Sequence, residues 1–258
     1  MDWHRRDRTW IGGHRGANAL APENTFAGFE LARSAGVDYV ETDVRAAVDG
    51  TLVLIHDDTI ERTTDGFGAV DAQRPDELAR LDAGSWFGAD FAGERIPTLE
   101  GFLEWIEGVP PLGAILEAKG PGTGGPLARR IATSSAADRL AICGFSADEL
   151  RSARDAVPDI VTVLLLDTDD LRAGPALELT RAAQADGAAL LGRALTARRL
   201  AELRAAGLLV GAGTRNRPSA VRRVLALAVD LLDSDRPPVA VRVRAEVDAS
   251  AHPTARSS

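Results

Sequence analysis

Cysteine is almost absent from this chain: Cys143 is the only one among 258 residues. An intrachain disulfide is excluded, and nothing in the thiol content points to an oxidising compartment. Cys143 itself reads as a small apolar residue on a strand. Long apolar runs are also missing, since no stretch approaches the ~18 consecutive apolar residues of a membrane-spanning helix. The opening Met1-Asp2-Trp3-His4-Arg5-Arg6-Asp7 has positive charge but no apolar run behind it, unlike a secretory signal. The expectation is a soluble, cytoplasmic protein with no stable membrane association. An excess of positive charge is missing too: the net charge is −8 and the pI about 5.1. That excludes a broad electrostatic pull toward nucleic acid. An anionic substrate must then be met by local cations or a bound metal. Histidine is scarce, with four in all. His4 and His252 lie in the terminal segments and read as solvated, which leaves His14 and His56. No internal repeat or second domain is visible, and nothing in the pattern sets an oligomeric state.

What is present is a hydrophobic content of 45%, enough for a sizeable core, in a length that suits one (β/α)₈ barrel of about 250 residues. Short apolar runs alternate with helical patterns. Strands are expected at 9–13, 39–44, 113–118, 140–145, 160–166, 188–191, 208–212 and 230–233. Helices are expected at 25–35, 99–106, 127–135, 147–156, 175–185, 196–206 and 218–228. Eight strands at βα spacing argue for a parallel sheet closed into a TIM barrel, the alternative being an open doubly wound sheet. One piece breaks the rhythm. Val44–Val48, Asp49-Gly50 and Thr51–His56 read as a hairpin, too short for a parallel crossover. A turn centred on Asp49-Gly50 puts His56 across from Asp43. Residues 57–95, with a short helical pattern near 75–81, read as an inserted lobe over one barrel end. The tail over 239–258 reads as a loose strand or unstructured.

Chemistry in a barrel sits at the strand C-termini. His14 and Arg15 end the first strand. Glu41 and Asp43 share one face of the second by period-two alternation, and Glu117 and Lys119 do the same at the end of the third. His56 and Asp57 return beside them on the hairpin. Three carboxylates converging in one mouth repel and cannot all stay ionised unaided. A divalent cation resolves that, and carboxylate ligands suit a hard ion such as Mg²⁺ or Ca²⁺. The competing reading is a set of buried salt bridges to arginine. His14 and His56, with ordinary pKa values near neutrality, are suited to donate and accept a proton. Arg15 can grip a phosphate through two bonds and Lys119 as a point charge, or both can balance the acids.

These residues carry a resemblance. His14-Arg15-Gly16, Pro22-Glu23-Asn24-Thr25, Glu41-Thr42-Asp43-Val44 and the run from His56-Asp57-Asp58 through Arg62-Thr63-Thr64 resemble the glycerophosphodiester phosphodiesterase family. Ile96-Pro97-Thr98-Leu99-Glu100, Glu117-Ala118-Lys119 and the closing Asp233-Ser234-Asp235-Arg236-Pro237 continue it in order. The match runs over residues 10–238, densely in the first hundred and thinly after. The resemblance implies a TIM barrel with a small lobe after the hairpin. It also implies hydrolysis of a phosphodiester to glycerol 3-phosphate and an alcohol. It implies a divalent metal on Glu41, Asp43 and Glu117, His14 and His56 as general acid and base, and Arg15 and Lys119 on the phosphate. Glu23 and Asn24 would shape the first loop, with a helix cap as the other role open to Asn24. One departure is plain. A Trp-Thr-x-Asn unit of the family is here Gly213-Thr214-Arg215-Asn216, which implies a wider pocket or a different substrate. Phe145 matches a substrate-side phenylalanine, and Phe87 and Phe91 in the lobe are further candidates for apolar contact. Two other functions stay open at this point. One is a sphingomyelinase-type phospholipase D, disfavoured by the single cysteine; the other is a barrel that binds phosphate ligands without turnover. A metal-dependent aldolase or isomerase is a weaker third, because fold alone does not give function.

Overall fold

The computed structural model describes Trp3 and residues 8–251, so His4, His252 and the end of the expected loose tail lie outside it. The strands are β1 (Trp10–Gly13), β2 (Tyr39–Ala46), β3 (Leu52–Leu54), β4 (Gly113–Ala118), β5 (Leu140–Gly144), β6 (Thr162–Leu166), β7 (Gly187–Leu190), β8 (Leu209–Ala212) and β9 (Leu231–Ser234). All but β3 are parallel, and β1 pairs with both β2 and β9. The sheet therefore closes into an eight-stranded barrel, and the open-sheet alternative falls away. The strands are almost wholly buried, as parallel strands covered on both faces must be, so they read as apolar runs such as Thr162-Val163-Leu164-Leu165-Leu166.

Helices α1 (Phe26–Ser34), α3 (Leu99–Glu107), α4 (Gly124–Ala132), α5 (Ala147–Ala156), α6 (Ala176–Ala182), α7 (Ala197–Ala205) and α8 (Pro218–Ala226) cover the outside; α2 (Pro75–Leu78) belongs to the lobe. Several are started by a hydroxyl cap. Thr25, Thr98, Ser146 and Thr196 accept from the backbone N–H three residues on, which fixes where each loop at the strand ends hands over to a helix. Thr25, rather than Asn24, caps α1, and Asn24 is left free for other work. Inside the barrel, Trp10, Tyr39, Ile115, Ala141, Val163, Ala189 and Leu231 pack into one cluster, with Trp3 against Trp10 and Tyr39 at the strand starts. The lobe has its own small core of Ile60, Val70, Leu78, Ala83 and Ile96, packed on Val53 and Ile55 of the hairpin.

Two expectations are corrected. The hairpin register differs by one residue: Val44 pairs with Leu54, and the Ile55 N–H bonds the Asp43 carbonyl at 3.1 Å. His56 is therefore one residue past the position opposite Asp43. The cause is the turn. Ala47 and Thr51 close a three-residue loop, with Gly50 at φ +88° supplying the left-handed residue such loops require. The second correction is the tail. Residues 237–251 form a helix, α9 (Pro237–Ala251), whose Ala240 and Val243 are buried in the outer core. Arg244 reaches Asp38 and the Thr9 carbonyl, tying α9 to the base of β1. Its valines alternate with arginines and β-branched residues are weak helix formers, so packing overrides local preference here.

Replacing Val243 with Ala should lower the unfolding free energy by about 2 kcal/mol, from two lost methyl groups and the gap they leave. Urea denaturation measures this; a loss under ~0.5 kcal/mol, the scatter of surface substitutions, would mean that α9 is not docked.

Candidate active site

The residues that end β1, β2, β4, β5, β8 and β9 meet at one rim, around a cavity of about 200 Å³ lined by His14, Arg15, Glu41, His56, Glu117 and Lys119, among others. Asp43 and Glu117 are register partners on adjacent strands, which is why the two acids lie side by side. Glu41, Asp43 and Glu117 are all buried. The structure thus brings together the residues that the sequence singled out.

The loop after β1 is bent to serve this cluster. Arg15 and Asn24 both have positive φ, at 50° and 55°. Such backbone costs roughly 1–2 kcal/mol for a residue with a side chain. What holds it is specific. The Arg15 N–H donates to Glu41 Oε2 at 2.9 Å, and the Asn24 N–H donates to the Arg15 carbonyl at 3.1 Å. Asn24 Nδ2 then donates to Asp43 Oδ2 at 2.9 Å, while its Oδ1 accepts from Thr42 Oγ1 and the Asp43 N–H.

The cations are tied into the acids. Lys119, the only lysine in the chain, lies with Nζ 2.8 Å from Glu117 Oε1 and 3.3 Å from Asp43 Oδ1. Arg15 reaches Glu23 at 3.0 Å and Asp43 at 3.2 Å. Of the two roles open to these cations, the balancing of acids is seen here, and both also line the cavity. Asp43 is the acid they favour. Burial raises its pKa, but Arg15 and Lys119 outweigh burial and hold it below the usual range. Glu41 fares differently: burial and the neighbouring Asp43 push it up to about 8. Burial and Asp43 also raise Glu117, against the pull of Lys119. Two of the three acids thus resist ionisation, and Asp43 Oδ1 is buried without a hydrogen bond, with only the Lys119 ammonium 3.3 Å away. Such a set fits a divalent cation, which would relieve the repulsion. Glu41 and Glu117 each present a ligand atom within 4.8 Å of the other and of the Cys143 thiol. Cys143 is buried on β5 opposite Glu117, so it faces the site rather than the outer core alone.

Each histidine has its own carboxylate. His56 Nδ1 lies 2.6 Å from Asp57 Oδ1, and Arg45 Nε holds the His56 carbonyl at 2.8 Å. His14 Nδ1 lies 2.7 Å from Asp235 Oδ1, and its Nε2 is 3.9 Å from Glu41. Asn216 in turn binds both the Asp235 carboxylate and its backbone N–H. The two rings differ in charge. Burial pulls both pKa values down. For His14 the Asp235 hydrogen bond and Glu41 outweigh burial and raise it to about 9. For His56 burial prevails over Asp43 and Asp57, and the pKa is lowered. Neither Asp235 nor Asn216 was singled out as a site residue. The signal available was their position just past the ends of β9 and β8.

The far side of the mouth, over β5 to β8, is apolar. Phe145 stands at the rim, 46% exposed, with Leu165 and Leu191 beyond it. Gly213 does not leave open space. A Cβ there would come within 2.3 Å of Leu191 Cδ2, so Leu191 already fills the volume. The expected widening of the pocket at this point is therefore not found. Phe87 and Phe91 meet edge to face within the lobe and do not line the cavity.

Comparison with known proteins finds relatives of one family. The sequence profile of the glycerophosphoryl diester phosphodiesterase family matches residues 14–117. A glycerophosphodiester phosphodiesterase of Bacillus altitudinis is 30% identical over 245 residues, which cover 93% of this chain and 99% of that one. Another, from Caldanaerobacter subterraneus subsp. tengcongensis, is 39% identical over 162 residues, covering 61% and 67%. Among solved structures, an Oleispira antarctica phosphodiesterase in complex with the product sn-glycerol-3-phosphate is 29% identical. It superposes with a TM-score of 0.82 over 93% of this chain and 97% of that one.

The Asp235→Asn variant should have a lower His14 pKa than the wild type's value of about 9, because a negative charge that favours the protonated ring is gone. His14 contributes to stability in full below its ordinary 6.5, and that contribution fades as pH rises through about 9. NMR titration of the His14 ring protons and unfolding curves across that window both read the effect. An unshifted titration in the variant would remove Asp235 as its cause.

Proposed function

The chain belongs to the glycerophosphoryl diester phosphodiesterase family, and on that premise we propose that it hydrolyses glycerophosphodiesters to glycerol 3-phosphate and an alcohol. The observation that carries the reading is the pair of histidines. Each has Nδ1 engaged by a carboxylate, and they flank one buried acidic cluster. Engaging Nδ1 fixes the ring and leaves Nε2 as the nitrogen that exchanges a proton with substrate. The bound sn-glycerol-3-phosphate of the Oleispira relative favours a glycerol diester over a sphingolipid.

In this reading Glu41, Asp43 and Glu117 hold a divalent cation, Mg²⁺ or Ca²⁺ by the oxygen-rich donor set. When bound, that ion supplies positive charge to the phosphoryl oxygens and offsets the repulsion among its ligands. Arg15 and Lys119, which line the same cavity, would bind the phosphoryl oxygens, and their charge opposes the negative charge that builds during attack. His56, with its lowered pKa, is neutral near pH 7 and accepts the proton of the attacking hydroxyl. His14, raised to about 9, is protonated and donates to the leaving alkoxide as its bond to phosphorus breaks. The Asp235 hydrogen bond favours the charged form of His14 more than Glu41 does. The attacking hydroxyl is that of water, or the substrate's own neighbouring hydroxyl, which expels the alcohol to give a cyclic phosphodiester that water then opens to glycerol 3-phosphate. Phe145 lines the side toward which the alcohol extends.

The test is a panel of glycerophosphodiesters, together with bis(p-nitrophenyl) phosphate, assayed with chelator and with each ion restored. Turnover should stop with chelator and return with the preferred ion. His14→Ala and His56→Ala should each lower kcat by about 10²–10⁴-fold with unchanged thermal unfolding. Near-normal turnover in either variant would refute the acid–base assignment. A wild type inactive on the whole panel would refute the function.

A further inference from the structure

Arg62 lies in the loop that opens the lobe, between residues that pin its backbone. Ile60, Thr63 and Thr64 are buried, and Thr64 Oγ1 donates to the Ile60 carbonyl at 2.6 Å. Its side chain is partly exposed and lies outside the cavity wall, so it has no direct part in the chemistry. Yet it spends almost all its donors on two carboxylates. Nη1 and Nη2 donate to the two oxygens of Glu23, both at 2.8 Å. Nε and Nη2 donate to the two oxygens of Asp57, at 2.5 and 3.1 Å. Two edges of one planar guanidinium thus take two carboxylates, each through a pair of bonds. Arg offers that geometry and Lys does not.

Both carboxylates carry a second load. The Asp57 oxygen that takes Nη2 also bonds His56 Nδ1 at 2.6 Å. The Glu23 oxygen that takes Nη2 also accepts from Arg15 Nη1 at 3.0 Å. A continuous path therefore runs from the Arg15 guanidinium through Glu23, Arg62 and Asp57 to the His56 imidazole. It joins the loop after β1 to the loop after β3, which share no strand pairing at this point.

We propose that Arg62 is a positioning residue that locks the phosphate-binding arginine and the proton-accepting histidine into one geometry. This rests on the roles given to Arg15 and His56 above. Without Arg62, Asp57 is free to rotate away from His56, and Glu23 can turn fully onto Arg15 and draw it off Asp43. The two losses differ in kind. A misplaced Arg15 weakens substrate binding, and a misplaced His56 slows the chemical step.

The experiment compares wild type with Arg62→Ala, Arg62→Lys, Glu23→Gln and Asp57→Asn. Glu23→Gln should act mainly on KM and Asp57→Asn mainly on kcat. Arg62→Ala should do both, with kcat/KM down by about 10–100-fold, the usual cost of losing a group that orients another. Arg62→Lys should resemble Arg62→Ala, and added guanidinium ion should restore the Ala variant but not Glu23→Gln. A readout independent of turnover is the His56 ring resonance, assigned by its loss in His56→Ala. It should move in Arg62→Ala and return toward wild type with guanidinium. Unchanged kcat, KM and His56 resonance in Arg62→Ala would overturn the proposal. So would a fall in activity that only tracks the unfolded fraction and that guanidinium does not reverse. If the wild type is inactive on every diester, the functional reading fails, and the resonance still decides whether Arg62 holds His56.

Discussion

Acidic groups crowded into a low-dielectric mouth are the constraint from which the site follows. Glu41, Asp43 and Glu117 are buried, and Asp233 and Asp235 stand beside them, against the permanent charges of Arg15 and Lys119. Charges in such surroundings interact far more strongly than in water. The backbone responds: Arg15 adopts a left-handed conformation so that its N–H can reach Glu41. The histidines respond as well, with His14 driven toward its charged form by Asp235 and Glu41. The same crowding makes the cluster receptive to a hard cation, since Glu41 and Glu117 are the acids left most in need of one.

Barrel closure supplies the other half of the arrangement. His14 takes its carboxylate from Asp235, which is 221 residues away in sequence, while His56 takes its own from the next residue. The first comes into range only because β1 pairs with β9. The closing contact is in turn covered from outside by α9, which packs against both strands' neighbourhood and anchors to Asp38 through Arg244. A helix far from the chemistry thus helps to keep the first strand end and the last one adjacent.

Much of this was legible in the sequence. Fully buried parallel strands write themselves as short apolar runs, so the eight strands could be located within a few residues. Alternation gave the shared face of Glu41 and Asp43. The parts that were not legible depend on geometry that a linear pattern does not hold. Asp49-Gly50 announces a turn but not its length, and a single extra residue moved His56 off Asp43. The valine–arginine mixture of α9 has no clear stripe, so only docking reveals the helix. Asn24 looks like a cap, yet the hydroxyl of Thr25 performs that task and Asn24 turns inward. Cys143 looked like an inert strand residue because its pairing with Glu117 is a property of the sheet.

The exchange between Gly213 and Leu191 bears on how this barrel could vary. Each residue alone describes a different surface, yet they contend for a single patch of space above β7 and β8. A bulky group introduced at 213 must drive the leucine into another rotamer, and trimming residue 191 without refilling 213 opens a void in the apolar wall of the cavity. The contour of that wall is thus a joint property of two loops. Redesign of that wall would have to recode both codons together, with intermediate single changes passing through a strained or hollow state.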